Sequence, residues 1–170
     1  MEIHGGHVTL RPVVAADING LAAILATPEV ARWWPAYDRA RVEAEYLVDE
    51  EDVTVWAVDL GERLVGLIQA SEENEPEFRH AGIDLFLDPA IHGQCLGPEA
   101  IRIVARHLID DRGHHRLTID PAADNERAIR AYEKVGFRPV GRLRRYQRFP
   151  DGSWQDGLLM EMLAEELREG

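Results

Sequence analysis

The chain has 170 residues, of which 45% are hydrophobic and 29% charged, as in a soluble globular protein with one core. Its net charge of −12 argues against nucleic acid as a partner and would suit a cationic ligand, although acidic surfaces commonly serve solubility alone. A single cysteine, Cys95, excludes an internal disulfide and every multi-cysteine zinc site.

Signals for membranes and metals are missing from the sequence pattern. No apolar run approaches the roughly 20 residues of a membrane helix, and the start MEIHGGHVTLRP lacks the apolar region of a signal peptide. The histidines show neither H-x-x-x-H nor H-E-x-x-H spacing. We therefore expect a cytoplasmic protein that binds no metal and has no membrane partner.

The first half of the chain predicts a strand, three helices and a hairpin. Alternating residues mark the strand, and apolar residues at helical spacing mark the first helix, with Asp17 as a candidate cap. Two β-branched and aromatic runs joined by Gly61 and Glu62 mark the hairpin. In order, the elements are a strand at 7–13, helices at 16–25, at 27–35 and from Asp38 or Arg39 to Val48, and strands at 53–60 and 63–71.

The second half predicts a strand, a helix, a further strand, a further helix and two closing strands. The succession of strand, loop, helix and strand implies that the two strands are parallel. A ligand is then expected at the carboxyl end of the first strand. The whole chain, 1–170, is therefore predicted to be one α/β domain with a mixed sheet of about seven strands flanked by helices. The elements of this half cover 81–89, 98–111, 115–120, 125–137, 138–149 and 152–163.

The loop AIHGQCLGPEAI, residues 90–101, opens the helix after the first of these strands. Gly93 and Gly97 permit backbone conformations that a side chain would block, and Pro98 suits a first helical turn. Free N–H groups at such a helix start favour an anion. The chain has neither a dinucleotide G-x-G-x-x-G nor a G-x-x-x-x-G-K-[ST] loop, so the pattern alone leaves an anion site or a simple turn.

The segments HGQCLGPEAI and DPAADNERAIRAYEKVGF resemble the two acyl-CoA motifs of the GCN5-related N-acetyltransferases. In the loop Gly97 matches the family pattern, whereas His92 stands in place of Arg or Gln and Cys95 in place of a glycine. With ARWW and GID, the combination is most similar to the aminoglycoside 6′-N-acetyltransferases. Relatives that acetylate protein N-termini, polyamines or siderophore precursors share much of this pattern.

This resemblance implies acetyl-CoA as co-substrate, with its pyrophosphate on the N–H groups of the loop and helix start. Cys95 is expected to fill a tight turn and not to act as a nucleophile, because the family acetylates by direct attack. The cofactor-binding residues that the resemblance implies are Leu85, Phe86, Leu87, His92, Gly93, Gln94, Cys95, Leu96, Gly97, Pro98, Asn125, Ala128 and Tyr132.

Tyr132 shares a helical face with Ala128 and Asn125. The resemblance implies that Tyr132 donates to the departing CoA thiolate and that Asn125 contacts the pantetheine arm. A phenol with a pKa of about 10 can give a proton to a thiolate. From its pattern alone, Tyr132 would be an aromatic core residue of an amphipathic helix.

Asp84 is a carboxylate within the apolar strand AGIDLFL, where an ionisable group is costly unless it is paired or faces a cleft. Acetyl transfer needs a deprotonated amine, and the resemblance implies that Asp84 accepts that proton, directly or through water. A solvent-facing residue of an edge strand is the alternative. Asp120 is a second candidate, either for binding an ammonium group or for capping the turn before Pro121.

Trp33 and Trp34 stand where the family keeps a tryptophan beside the substrate cleft, one to stack on a sugar ring and the other in the core. The acidic run EENEPEF follows the strand at 63–71 and is either a substrate loop or a solvated loop. The candidate substrate-binding residues are Trp33, Trp34, Gln69, Glu72, Glu73, Asp84 and Asp120.

With the resemblance, these residues predict an N-acetyltransferase that moves the acetyl group of acetyl-CoA to a primary amine of an aminoglycoside-like polycation. Asp84 and Tyr132 would be catalytic in a ternary complex, and a backbone N–H near Leu87 would hold the thioester carbonyl. The alternatives are acetylation of a protein N-terminus, a polyamine or another metabolite amine, and a non-catalytic acyl-CoA sensor. We expect a monomer or homodimer with a role in antibiotic resistance.

Overall fold

The computed structural model describes residues 1–47 and 50–170, so the predicted end of the third helix at Val48 lies outside the described residues. The helices are α1 (Ile18–Leu25), α2 (Pro28–Ala31), α3 (Arg39–Tyr46), α4 (Leu96–Arg106) and α5 (Glu126–Val135). The strands are β1 (Ile3–His4), β2 (Val8–Pro12), β3 (Val53–Leu60), β4 (Arg63–Glu73), β5 (His80–Leu87), β6 (Arg116–Ile119), β7 (Arg138–Arg148) and β8 (Trp154–Leu163). They form an eight-stranded sheet in the order β1-β2-β3-β4-β5-β6-β8-β7.

The predicted α/β class with a mixed sheet is confirmed, and the sheet holds one strand more than the seven predicted. The additional strand is β1, whose two residues pair antiparallel with Leu10 and Thr9 of β2. Two residues are too few to show an alternation of apolar and polar side chains, so the sequence pattern could not indicate this strand.

Of two aspartates that precede helices, one caps its helix and the other does not. The Asp38 carboxylate accepts the Arg41 amide at 2.8 Å, which fixes the start of α3. Asp17 lies just before α1, but its carboxylate accepts the Val14 amide at 2.8 Å and pairs with the Arg11 guanidinium. The predicted cap at Asp17 is therefore wrong, because a buried ion pair takes up the carboxylate.

Two helices differ from their predicted bounds in ways that matter for the site. Helix α2 ends at Ala31, so Trp33 and Trp34 lie in the connection that leads to α3. Helix α4 begins at Leu96, two residues before the predicted start, and continues beyond Arg106 as a π-helical turn. The glycine-bearing loop therefore ends at Cys95, and Gly97 lies within the first helical turn.

Strands β5 and β6 are parallel, as the strand-loop-helix-strand order predicts, but they pair only briefly. The paired residues are Ala81 with Leu117 and Gly82 with Thr118. Strand β5 continues to Leu87 while pairing with β4 on its other side. Its last five residues, 83–87, therefore present one edge to a gap between β5 and β6, which we call the strand split.

Neighbouring residues of each strand point to opposite faces of the sheet. Apolar side chains are present on both faces, and helices pack on each of them. On one face, α4 and α5 pack with buried residues such as Ile68 and Phe137. On the other face, α1 and α3 pack with Leu67 and Phe86. Within the described part of the chain, no helix is both long and apolar enough to cross a membrane.

Candidate active site

A cavity of about 1110 Å³, the main cavity, opens at the strand split. Its walls come from the end of β5, the start of α4, one face of α5, the segment after α2 and the β7–β8 hairpin. A second cavity of about 480 Å³ is lined in part by the same two residues, Asp84 and Asp120. The two cavities therefore meet at this pair of carboxylates.

The loop before α4 adopts a backbone conformation that exposes amides to the main cavity. Gly93 has a φ of 83°, and Cys95 is left-handed with φ 61° and ψ 12°. The first turn of α4 leaves the amides of Leu96 and Gly97 without partners inside the helix. Cys95 thus adopts the torsion that glycine supplies more readily, and its side chain is exposed.

Three basic residues of α5, Arg127, Arg130 and Lys134, line the main cavity together with this loop. Their spacing of three and four residues places them on one side of the helix. The prediction from sequence omitted them, although this spacing lies within the quoted segment NERAIRAYEKVGF. We call these residues and the start of α4 the loop side of the cavity; its positive charge and helix terminus favour a phosphate.

The free edge of β5 points polar backbone groups into the strand split. The Asp88 amide donates to the Val65 carbonyl of β4 at 2.8 Å, so the amide of Leu87, one residue earlier, points the opposite way. The Leu87 carbonyl lies 3.0 Å from His92 Nε2. Burial, together with the positive charge of Arg127, lowers the pKa of His92 and favours a neutral ring that donates from Nε2. The Leu87 amide therefore remains as a donor toward the split.

Tyr132 lies on α5 at the edge of the main cavity, with 9% of its surface exposed. Its ring packs against Phe137 with 6.5 Å between centroids. Burial raises the pKa of the phenol, and the negative charges of Asp84 and Asp120 add to this effect. The hydroxyl therefore keeps its proton throughout the neutral range, as a proton donor at this site must.

Asp84 and Asp120 form an acidic pair at the strand split. Asp84 lies on β5 just beyond the residues paired with β6, and Asp120 directly follows β6. Burial raises the pKa of Asp84 to about 8, and the charge of Asp120 contributes to the shift. The Leu85 amide donates to Asp84 Oδ1 at 3.0 Å and favours the ionised form. A carboxylate with this pKa can accept a proton from a bound ammonium group near neutral pH.

Asp120 is held by a different partner. Its Oδ2 accepts a hydrogen bond from the Tyr146 hydroxyl of β7. Burial raises the pKa of Asp120, and this hydrogen bond opposes the shift. Glu45 of α3 and Glu50 line the second cavity beside the acidic pair. We call Asp84, Asp120, Glu45 and Glu50 the acidic side of the site.

Both predicted tryptophans line the main cavity, in different surroundings. The ring of Trp34 packs edge-on against Phe86 and Tyr37, with centroids 5.3 Å and 5.8 Å away. The ring of Trp33 lies under the Arg32 guanidinium at 4.5 Å. Trp34 is thus part of the packed aromatic cluster, and Trp33 is the ring with fewer aromatic neighbours.

Most of the remaining predicted residues meet at the two cavities. Gln69 faces Asp84 across β4 and β5 and lines the second cavity. Asn125 lines the main cavity and also caps α5, since its side-chain oxygen accepts the Ala128 amide at 3.2 Å. The predicted cofactor residues that line the main cavity are Leu85, Phe86, Leu87, His92, Gly93, Cys95, Leu96, Gly97, Pro98, Asn125, Ala128 and Tyr132.

Three predicted residues are not brought to either cavity: Gln94, Glu72 and Glu73. The Glu72 carboxylate is 6% exposed and binds His114 Nε2 at 2.7 Å and Arg112 Nε at 3.1 Å. Glu73 is exposed and accepts an amide of its own loop. The Gln94 amide, expected to meet a phosphate, donates to the Ile91 carbonyl at 3.4 Å. Glu72 joins β4 to the segment after α4, a long-range contact that composition does not reveal.

Comparison with known proteins identifies the class of protein that this fold and site define. The family model described as acetyltransferase (GNAT) domain matches residues 7–138. The chain therefore belongs to the GNAT family of N-acetyltransferases. In residues 1–47 and 50–170, no three His, Cys, Asp or Glu side chains are grouped so that they could hold a metal ion.

Individual relatives point to amine acetylation. Aminoglycoside N(6′)-acetyltransferase type 1 of Klebsiella pneumoniae is 31% identical over 153 residues, 79% of this chain and 75% of its own length. Spermidine N(1)-acetyltransferase of Escherichia coli K12 is 25% identical over 174 residues, covering 96% of this chain and 92% of its own. The structure of aminoglycoside acetyltransferase AAC(6′)-Ib with coenzyme A and kanamycin superposes with a TM-score of 0.76 at 27% identity, covering 94% and 96% of the two chains.

Proposed function

We propose that the protein transfers the acetyl group of acetyl-CoA to a primary amine of an aminoglycoside-like polycation, by direct attack in a ternary complex. The observation that carries this proposal is the half-buried acidic pair, Asp84 and Asp120, beside Tyr132 at the strand split. One carboxylate with a raised pKa and one protonated phenol on the same cavity are the base and the acid that aminolysis of a thioester needs.

The loop side supports acetyl-CoA as the donor. The amides of Leu96 and Gly97 suit a pyrophosphate, and Arg127 and Arg130, which line the same cavity, suit a further phosphate. The free edge of β5 suits the amide groups of a pantetheine arm, which would extend along the split. The Leu87 amide lies at the end of this edge, where it would donate to the thioester carbonyl oxygen as charge develops on it.

The reaction then proceeds without a covalent enzyme intermediate. An ammonium group binds at the acidic side, and its proton passes to Asp84 directly or through one water. The neutral nitrogen attacks the thioester carbonyl carbon, the C–S bond breaks, and the second proton that the nitrogen loses as the amide forms passes to solvent. The thiolate takes a proton from Tyr132. Before the next cycle Tyr132 regains a proton from solvent, and Asp84 releases its proton to solvent. Cys95 takes no part, because it lies at the turn before α4 on the loop side.

The acidic side supports a substrate with several positive charges. Glu45 and Glu50 line the second cavity next to Asp84 and Asp120. Further amines of one molecule would therefore meet Glu50 there, and Glu45 in competition with Arg41, whose Nε lies 3.2 Å from the Glu45 carboxylate. The partly exposed ring of Trp33 offers an apolar face to a sugar ring. The similarity to the Klebsiella aminoglycoside enzyme supports this acceptor class.

A polyamine such as spermidine is the second candidate. It is favoured by the Escherichia coli relative, which is similar along nearly the whole chain, and by the same row of carboxylates. A thin, flexible polyamine would use the acidic side without the aromatic ring of Trp33. The variant Trp33→Ala therefore separates the two acceptors: it should weaken kanamycin turnover and leave spermidine turnover near the wild-type rate.

The test is a thiol-release assay with acetyl-CoA and three acceptors: kanamycin, spermidine and a peptide with a free N-terminus. We expect release with kanamycin, and expression in a sensitive bacterium should then raise the kanamycin concentration that stops growth. Turnover of the peptide alone would refute the acceptor class but keep the enzyme class. Binding of acetyl-CoA without release for any amine would indicate a sensor and refute the proposal.

A further inference from the structure

Strand β7 contains a wide irregularity in the part of the strand that lines the main cavity. Leu143 pairs with Gly157 of β8, and Gln147 pairs with Gln155, so the three residues 144–146 stand opposite Asp156 alone. Arg145, in the middle of this bulge, has a positive φ of 50°. A residue other than glycine keeps this conformation only where its surroundings fix it, and bulges commonly redirect a side chain near a site.

Residues of the neighbouring strand β8 hold the bulge in this conformation. Asp156 Oδ1 accepts the Arg145 amide at 2.7 Å, and Oδ2 accepts Arg142 Nε at 2.7 Å. Gly157 leaves room for the ring of Tyr146, since a Cβ at that position would lie 2.8 Å from Tyr146 Cδ1. The bulge therefore turns Tyr146 toward the main cavity, where its hydroxyl donates to Asp120 Oδ2.

We propose that Tyr146 is a positioning residue of the acceptor site: its hydroxyl holds the Asp120 carboxylate ionised and turned toward the substrate amine. This inference rests on the proposed function, because it gives Asp120 the task of binding the ammonium group. It also gives the two carboxylates of the acidic pair different roles, since the hydrogen bond from the phenol opposes the rise in the pKa of Asp120 and favours its ionised form. Asp84, with a single amide donor, is left to accept the proton.

The electrostatics agree with this division. The hydrogen bond to Asp120 and burial raise the pKa of Tyr146 to about 12, so its hydroxyl remains a donor at neutral pH. The anionic Asp120 in turn helps to raise the pKa of Asp84. Among the described residues, the other titratable or charged groups that line the two cavities are Glu29, Tyr37, Arg41, Glu45, Glu50, His80, His92, Cys95, Arg127, Arg130, Tyr132, Lys134, Arg148 and Asp156.

The variant Tyr146→Phe tests the proposal, because it keeps the ring over Gly157 and removes only the hydroxyl. The KM for the amine should rise by about ten- to a hundredfold, as for loss of a hydrogen bond to a charged group, with the KM for acetyl-CoA unchanged. In an Asp120→Asn background the same substitution should have little further effect. Trp154→Phe, an exposed aromatic change on the same hairpin, is the matched control.

A titration of the Asp120 carboxyl by ¹³C NMR gives a readout that needs no turnover. In Tyr146→Phe its apparent pKa should rise by about one unit, because a donor to the ionised form is lost. An unchanged titration, or an equal rise of both KM values, overturns the inference. If the wild type acetylates no amine, the proposed function fails, and the titration still decides whether Tyr146 sets the charge of Asp120.

Discussion

The loop side and the acidic side of the cavity are built by different means. The loop side consists mainly of backbone amides from one short segment, with basic side chains added from a single helix. The acidic side consists of carboxylates from α3, the residues after it, β5 and the end of β6. We expect a backbone site to tolerate changes of side chain, such as those at His92 and Cys95, and the acidic side to depend on each carboxylate.

This difference predicts that the two sides can be disabled separately. The largest effect is expected for Asp84→Asn, which keeps the shape of the side chain but removes the base. The kcat/KM for the amine should fall about a thousandfold, within the usual range for a general base. The affinity for acetyl-CoA should stay within about twofold, because the loop side is untouched. Steady-state kinetics and calorimetry measure the two quantities.

Glu73→Gln is the control for Asp84→Asn, since Glu73 is an exposed carboxylate on the neighbouring strand, outside both cavities. It should leave both quantities at the wild-type level. A fall in acetyl-CoA affinity that matches the loss of turnover in Asp84→Asn would contradict the separation of the two sides.

Tyr132 lies where the two sides meet, and Tyr132→Phe should reduce kcat by about a hundredfold. Both KM values should change little, because the hydroxyl acts on the thiolate only as it leaves. The ring and its packing against Phe137 remain in this variant, so thermal unfolding serves as the check for an intact fold. A wild-type kcat would mean that the thiolate departs without help from this residue.

Asp84→Asn should also change the thermal stability of the protein, with a smaller effect than on turnover. This effect depends on a residue of the acidic side alone. Burial raises the folded-state pKa of Asp84 to about 8, so the folded protein holds this proton more tightly than the unfolded chain. The free energy of unfolding therefore falls as the pH rises from about 4 to about 8. Asp84→Asn removes the titrating group, so this fall should be absent in the variant. The variant should gain several °C in Tm by pH 8, each kcal/mol being worth about 2–4 °C. A Tm difference that is the same at pH 5 and pH 8 would refute the shift.

The smallest effect is expected on the loop side. Cys95→Gly relieves a left-handed residue and should bind acetyl-CoA within about twofold of the wild type, or more tightly. Cys95→Val is the opposite control, because a β-branched residue at this φ is strained, and it should bind about tenfold more weakly. Equilibrium binding measures both. A large loss of affinity in Cys95→Gly would show that the side chain, and not the backbone, makes the contact.

The loop before α4 could be predicted from sequence better than the acidic side, although the basic residues of α5 that complete the loop side were missed. The loop, its helix and the face of α5 are contiguous segments, so spacing alone relates their residues. Asp84 was visible as a carboxylate within an apolar strand, and Asp120 as a carboxylate at the end of the next strand. Glu45 and Glu50 were not predicted, because only the folded sheet places them beside Asp84.

Long-range contacts also explain the errors. Glu72 was a candidate for the substrate loop, yet His114 and Arg112 return from the end of α4 and bind it. The sequence pattern does not predict a role for Tyr146, because a bulge, and not the regular alternation of β7, directs its ring. No local pattern encodes such a bulge, since the residues that hold it lie on the neighbouring strand.

Initial rates measured while both acetyl-CoA and kanamycin are varied test the central claim most directly, because it requires both substrates in one cavity at once. Double-reciprocal lines should intersect, and Cys95→Ser should give the same pattern at a similar rate. Parallel lines, together with an acetylated form of the protein in the absence of amine, would contradict direct attack.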